Sequence, residues 1–158
     1  MPDNYIEIMI QSLEKKSRVL DEILKLSRDQ KNWLEDPDLT PETFEENVGK
    51  KAELIDQLDA LDEGFETLYE RVSGQLNADR GRYAKEIRTM QKLIAEITEK
   101  SVEIQAVEAR NKSQVEARFS TIRKQIRQVK DNQKVVKEYY RNMQKMNYVE
   151  PQFMDNKK

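Results

Sequence analysis

Carboxylates are the side chains of this sequence best suited to acid–base chemistry, and they are crowded at Asp59, Asp62 and Glu63. Paired carboxyl groups perform such chemistry when a pocket separates their pKa values. These three lie in a segment rich in acid throughout, which is typical of a solvated helix face. The chain has no His and no Cys, so the commonest general base, the commonest metal ligand and the thiolate nucleophile are missing. We therefore expect no enzyme activity, no metal and no cofactor.

Phosphate binding by basic residues near the C-terminus is a second candidate chemistry. Their spacing along a helix would allow them to follow a nucleic-acid backbone. However, the whole chain has a net charge of −2, and its glycines form no phosphate-binding loop. We expect a solvated basic face and no nucleic-acid partner. The basic residues concerned are Arg123, Lys124, Arg127, Lys130, Lys134, Lys137, Arg141 and Lys145.

Aromatic, aliphatic and Met side chains form a third group of candidates, at helical spacing in the C-terminal part of the chain. Met is flexible and Tyr commonly anchors interfaces, so such a surface is suited to binding a partner protein. Packing at the end of a helical core is the alternative. We expect partner binding, and the candidate residues are Phe119, Ile122, Ile126, Val129, Val136, Tyr139, Tyr140, Met143 and Met146.

The elements that carry these residues are long helices. Glycine and proline are rare, and apolar residues recur at alternating spacings of four and three, the pattern of a helix with an apolar seam. With 158 residues, one domain is expected. The sequence predicts an all-α fold, an antiparallel, coiled-coil-like bundle forming one domain over 1–147. Its three helices should span about 3–36, 41–73 and 82–147, with a tail over 148–158.

The boundaries rest on local signals. Thr40 suits the N-cap of the second helix and Pro41 its first position. Gly74 and Gly81 indicate a turn between the second and third helices. The seams also contain polar residues, namely Ser17, Ser27 and Lys31 in the first helix, Lys51 and Asp62 in the second, and Ser101, Glu108 and Asn111 in the third.

The third helix is about twice as long as the others. At about 1.5 Å per residue it would reach roughly 100 Å, against roughly 50 Å for each of the first two. Running back along the second helix, it comes level with residue 41 near residue 114. Residues beyond 114 would then have no partner in their own chain, and their apolar seam would need an outside partner. A break near 111–113 that folds this arm back is the alternative.

Charge separates the same two regions of the chain. Residues 32–70 hold 13 acidic and two basic residues, whereas residues 115–147 hold nine basic and three acidic ones. Over the two halves, residues 1–79 carry −11 and residues 80–158 carry +9. The near-zero net charge is therefore a cancellation between an acidic second helix and a basic C-terminal arm.

The segment KAELIDQLDALDEGFETLYERV, Lys51 to Val72, resembles the second helix of FlgN-type flagellar export chaperones. The first-helix stretch SLEKKSRVLDEILKLSRDQ and the ending YVEPQFMDNKK are similar to the corresponding parts of that family. The resemblance implies a small helical chaperone of the flagellar type III secretion system. It also implies binding of hook–filament junction proteins of the FlgK and FlgL type and their delivery to the export gate. Client binding in the family is attributed to the C-terminal helical region, here roughly 115–147.

Two other interpretations fit the same sequence. A self-associating coiled-coil scaffold would pair the arm with its own copy in a homodimer. A FliT-type chaperone of the filament cap has a similar size and helicity. No apolar run approaches the roughly 20 residues that a membrane helix needs, and no signal sequence opens the chain. We therefore expect a cytoplasmic protein that does not insert into a membrane.

Overall fold

The computed structural model describes residues 2–122, 137–139 and 141, with side chains over 3–118, 137–139 and 141. It contains three long α-helices: α1 over Pro2–Leu34, α2 over Pro41–Ala78 and α3 over Ala84–Ile122. The described part of the chain contains no strand. The three helices pack against one another, so the predicted all-α bundle is confirmed.

The start of α2 follows the capping signals of the sequence. Thr40 has an extended backbone, and its hydroxyl accepts a hydrogen bond from the backbone N–H of Thr43 at 3.2 Å. Pro41 stands at the first helical position, where a backbone N–H would have no partner inside the helix. Glu42 adds a negative charge beside the positive helix end. These residues end the first loop and fix where α2 begins.

The second helix is longer than the glycine signal predicted. Instead of ending at residue 73, α2 continues through Gly74 to Ala78, and the turn to α3 occupies residues 79–83. Leu76 explains the extension, because it lies one turn after Val72 and both are almost completely buried. The extra turn therefore adds apolar burial that outweighs the roughly 1 kcal/mol cost of a glycine in a helix interior.

Helices α1 and α2 run antiparallel. The ammonium of Lys16, in the first half of α1, lies 2.6 Å from a carboxylate oxygen of Asp62, in the second half of α2. Towards the opposite end, the side-chain amide of Asn47 donates to the backbone carbonyl of Leu26 at 3.0 Å. The loop of residues 35–40 thus folds α2 straight back along α1.

Helices α1 and α3 run parallel. At their N-terminal ends, the hydroxyl of Tyr83 donates to a carboxylate oxygen of Asp3 at 2.9 Å. Towards their C-terminal ends, the guanidinium of Arg118 donates to the carbonyl of Asp36, just after α1, at 3.0 Å. Because α1 packs closely against both of its neighbours, it forms the spine of the bundle.

The buried face of α3 is the seam predicted from the sequence. It passes through residues 111–113 without interruption, so the helix has no break there. The seam begins at Tyr83, at the end of the preceding turn, and its buried residues within α3 are Ile87, Met90, Ile94, Ile97, Ser101, Ile104, Glu108, Asn111 and Val115. Lys51 of α2 forms an ion pair with Glu108 of α3, which lies about one turn beyond residue 104, the position opposite Lys51 in the predicted antiparallel register.

Candidate functional site

The candidate binding residues fall in three groups. Phe119 and Ile122 lie in the last turns of α3, where the structure describes the backbone. Tyr139 lies in a helical stretch over 137–139 and is described in full. The others lie outside the described residues: Ile126, Val129, Val136, Tyr140, Met143 and Met146. Only Tyr139 therefore has a position that can be compared with the expected exposed seam.

Tyr139 is buried against the bundle, with 2% of its surface exposed. Its hydroxyl donates to the carboxylate of Glu108 at 2.6 Å. On one straight helix these two residues, 31 positions apart, would be separated by about 46 Å. The position of Tyr139 therefore excludes one straight helix over 82–147, and the continuity of α3 through residues 111–113 excludes the alternative of a break there.

The expectation that everything beyond residue 114 lacks a partner in its own chain is wrong for three residues. Val115 is buried, with 1% exposed, on the continuing seam of α3. Arg118 binds backbone carbonyls at the end of α1. Tyr139 docks on the bundle. The reason is that α1 runs parallel to α3 and its end still contacts Arg118, whereas the expectation compared α3 with α2 alone. Tyr139 in turn contacts Glu108.

Tyr139 reaches a group of buried polar residues, which we call the polar cluster. It consists of Ser27 and Gln30 of α1, Lys51 of α2, and Glu108 and Asn111 of α3. All three helices thus contribute side chains at one level of the bundle, and Tyr139 contacts them there.

The centre of the polar cluster is an ion pair. The ammonium of Lys51 lies 2.7 Å from a carboxylate oxygen of Glu108, with exposed side-chain fractions of 0% and 2%. That ammonium also donates to the amide oxygen of Gln30 at 3.0 Å and lies 4.6 Å from the centre of the Tyr139 ring. The Ser27 hydroxyl donates to the same carboxylate oxygen. This oxygen therefore receives hydrogen bonds from Ser27, Lys51 and Tyr139.

Burial and charge act in opposite directions on Lys51. Removal from water lowers the pKa of its ammonium below the ordinary value of 10.5, while the charge of Glu108 and the hydrogen bond to it raise that pKa. Burial is the larger influence. The folded chain therefore holds the Lys51 proton less tightly than the unfolded chain does.

Two acceptors of the polar cluster have no hydrogen-bond donor among the residues that the structure describes. They are the second carboxylate oxygen of Glu108 and the side-chain oxygen of Asn111. The amide nitrogen of Asn111 donates to the Ser27 carbonyl at 2.9 Å and to Gln30 at 3.1 Å. Buried polar atoms are normally paired. These two oxygens can therefore accept further hydrogen bonds, which the described side chains of the three helices do not donate.

The sequence contained a signal for most of this site. Ser27, Lys51, Glu108 and Asn111 are polar residues on otherwise apolar seams, and such positions lie in the core of a bundle. Their meeting at one level depends on the register of three helices. Gln30 lies beside the seam and was missed, and Tyr139 was assigned to an exposed surface.

The crowded carboxylates of α2 do not form a site in the structure. Asp59 and Glu63 are exposed, and Asp62 of α2 forms an ion pair with Lys16 of α1. Within the described residues, no group of acidic side chains is arranged to hold a metal ion. The same part of the chain has no helix that is both apolar enough and long enough to span a membrane.

The family model described as FlgN protein matches residues 1–147. No curated protein and no solved structure matches the chain.

Proposed function

Because the chain belongs to the FlgN family of flagellar export chaperones, we propose that it binds hook–filament junction proteins of the FlgK and FlgL type before their export. The proposed place of action is the cytoplasm, where such clients await secretion. The chaperone would keep them unassembled and deliver them to the export gate. The observation that carries this proposal is the family match over residues 1–147, which includes the whole candidate binding seam.

The proposed client-binding element is the C-terminal segment, residues 119–147. Its apolar residues repeat at helical spacing, and a helix with such a face binds partners by laying that face against an apolar surface. Junction proteins that polymerise through amphipathic helices would offer a matching face. Covering this face would block polymerisation and keep the client in solution.

Charge supports the same pairing. Residues 119–147 carry eight basic and two acidic residues, so the flanks of the seam would attract a client helix that carries acid. Such attraction raises the association rate and favours the correct partner more than it raises affinity. We therefore propose that the apolar seam provides the affinity and that the basic flanks select acidic client helices.

Co-purification of the full-length chain with junction proteins tests the proposal. In the test variant, apolar seam residues outside the docked Tyr139 are changed to Ser; in the control, polar residues of the same segment are changed to Ala. Loss of junction proteins from the test variant alone supports the assignment. Equal capture by both variants would contradict it. The test substitutions are at Ile126, Val129, Val136, Tyr140 and Met143, and the control substitutions at Gln125, Gln128 and Asn132.

The same experiment separates the two rival interpretations. Capture of a filament-cap protein instead of junction proteins would indicate the FliT-type function. A tight homodimer that takes up no flagellar protein, and that the test substitutions dissociate, would indicate a scaffold.

A further inference from the structure

The polar cluster has the chemistry to recognise a tyrosine side chain. A tyrosine presents a hydroxyl donor at the tip of a ring whose face is negative. In the bundle, Glu108 accepts the hydroxyl of Tyr139 at 2.6 Å, and the Lys51 ammonium lies 4.6 Å from the ring centre, within cation–π range. A phenylalanine would satisfy the ammonium alone and a serine the carboxylate alone. The pair therefore selects a phenol.

The occupant of this site comes from a distant part of the chain. Tyr139 follows Glu108 by 31 residues and belongs to the segment that we propose binds clients. Its described neighbours Lys137, Glu138 and Arg141 are exposed. Among the described residues of the segment beyond α3, Tyr139 is therefore the one that enters the bundle. Tyr139 belongs to none of α1, α2 and α3, so it can leave the polar cluster without unfolding them.

Docking and client binding need different positions of the same helical turn. Tyr139 lies at helical spacing from Val136 and Met143 of the candidate binding seam. While its ring is buried among α1, α2 and α3, Tyr139 cannot lie against a client helix. A client that engages the whole seam must therefore draw Tyr139 out.

We propose that the polar cluster is a tyrosine-binding site, occupied by Tyr139 in the free chain, and that client binding displaces Tyr139 from it. The displacement rests on the proposed function; the tyrosine site does not. Since a hydrogen bond to a charged group changes an equilibrium by about tenfold or more, loss of the Tyr139 hydroxyl should shift docking by about that factor. When the docked form dominates, the apparent client affinity rises by up to the same factor.

The docked state can be measured in the full-length chain without a client. The chain has one Trp, Trp33, and no Cys. Trp33 lies three residues after Gln30 of the polar cluster, and the substitution Lys137→Cys places a single dye attachment point at an exposed position beside Tyr139. Energy transfer from Trp33 to an acceptor dye at this cysteine should be high when Tyr139 is docked and should fall when it leaves.

Two variants in this labelled chain test the tyrosine site. Tyr139→Phe removes the hydroxyl and leaves the ring, and Glu108→Gln removes the charge that accepts the hydroxyl. Both should lower energy transfer, whereas the control Glu103→Gln, at an exposed carboxylate of the same helix, should not. Energy transfer is compared in water and at urea concentrations below the unfolding transition, which weaken docking in both chains. Equal energy transfer in Tyr139→Phe and the parent chain throughout this range would overturn the tyrosine site. Because Tyr139→Phe changes no residue of α1, α2 or α3, it keeps the test valid if Glu108→Gln fails to fold.

Addition of a purified hook–filament junction protein tests the displacement. The complex should show lower energy transfer than the free chain, and the Tyr139→Phe chain should bind up to about tenfold more tightly. Unchanged transfer in a complex that has formed would overturn the displacement alone. No complex at all would overturn the proposed function and the displacement together, while the tyrosine site would stand on the measurements without client.

Discussion

Removing the ammonium of Lys51 should destabilise the bundle far more than removing that of its neighbour Lys50. Lys51 is fully buried, 2.7 Å from the Glu108 carboxylate. At an effective dielectric constant of about 20, unit charges at this distance attract by about 6 kcal/mol. Relief from desolvating the ammonium offsets the loss of this attraction in Lys51→Met. The substitution still destabilises the bundle, because it leaves the buried acceptors of Glu108 and Gln30 without hydrogen bonds that even an uncharged amine would donate.

The loss of unfolding free energy that we expect for Lys51→Met lies at the lower end of the range measured when one partner of a buried ion pair is removed. Such losses are about 3–5 kcal/mol. In this chain the hydroxyls of Ser27 and Tyr139 still donate to Glu108, which limits the cost of the uncompensated charge. We therefore expect Lys51→Met to lower the free energy of unfolding by about 3 kcal/mol, a large fraction of the roughly 5–15 kcal/mol of a typical domain.

Urea unfolding followed by far-ultraviolet circular dichroism measures this loss. The matched control is Lys50→Met, because Lys50 is exposed and makes a surface pair with Glu46 at 3.5 Å; it should change stability by less than about 0.5 kcal/mol. The double variant Lys51→Met with Glu108→Gln should recover about 2 kcal/mol, since it removes both charges and keeps an acceptor for the hydroxyls. If the effects of Lys51→Met and Glu108→Gln on the free energy of unfolding simply add, the two side chains do not stabilise the bundle as a pair. A loss of stability in Lys51→Met no larger than that in Lys50→Met would contradict the prediction as well.

The remaining predictions concern stability and can be checked by the same unfolding measurement. Gly64→Ala should stabilise the chain by roughly 0.5–1 kcal/mol, because Gly64 is helical and exposed and an added Cβ meets no atom within 4 Å; a loss of stability would contradict this. Thr40→Ala should cost about 1 kcal/mol by removing the cap of α2, and no change would show that the cap is dispensable. Because the pKa of Lys51 is lowered in the folded chain, the unfolded chain holds more protons just below pH 10.5. The stability of the wild type relative to Lys51→Met should therefore rise as the pH approaches 10.5, and a fall would contradict the sign of the shift.

The sequence predicted the helices and their buried faces because both depend on local spacing. The alternation of four and three residues correctly predicts that every seam position is buried, from Tyr83, just before α3, to Val115 within it. Capping chemistry placed the start of α2 at Thr40 and Pro41. The end of α2 was misplaced because Gly74 is a weak helix breaker and the burial of Leu76, which depends on the neighbouring helix, outweighs it.

The sequence did not predict the polar cluster as a unit. Each of its seam residues was visible as a polar interruption, but their meeting requires α1 and α3 to run parallel and α2 to run antiparallel in one register. The docking of Tyr139 was less accessible still, because a buried tyrosine in a core and an exposed tyrosine on a binding surface have the same helical spacing. Helical periodicity fixes which residues share a face, and it does not say what covers that face.

Amide hydrogen exchange of the full-length chain, free and bound to a purified hook–filament junction protein, is the most direct test of client binding by the C-terminal segment. Client binding by this segment predicts slower amide exchange over residues 119–147 and unchanged amide exchange on the exposed face of α2. Slower exchange confined to α1 and α2, with residues 119–147 unaffected in a complex that has formed, would contradict it.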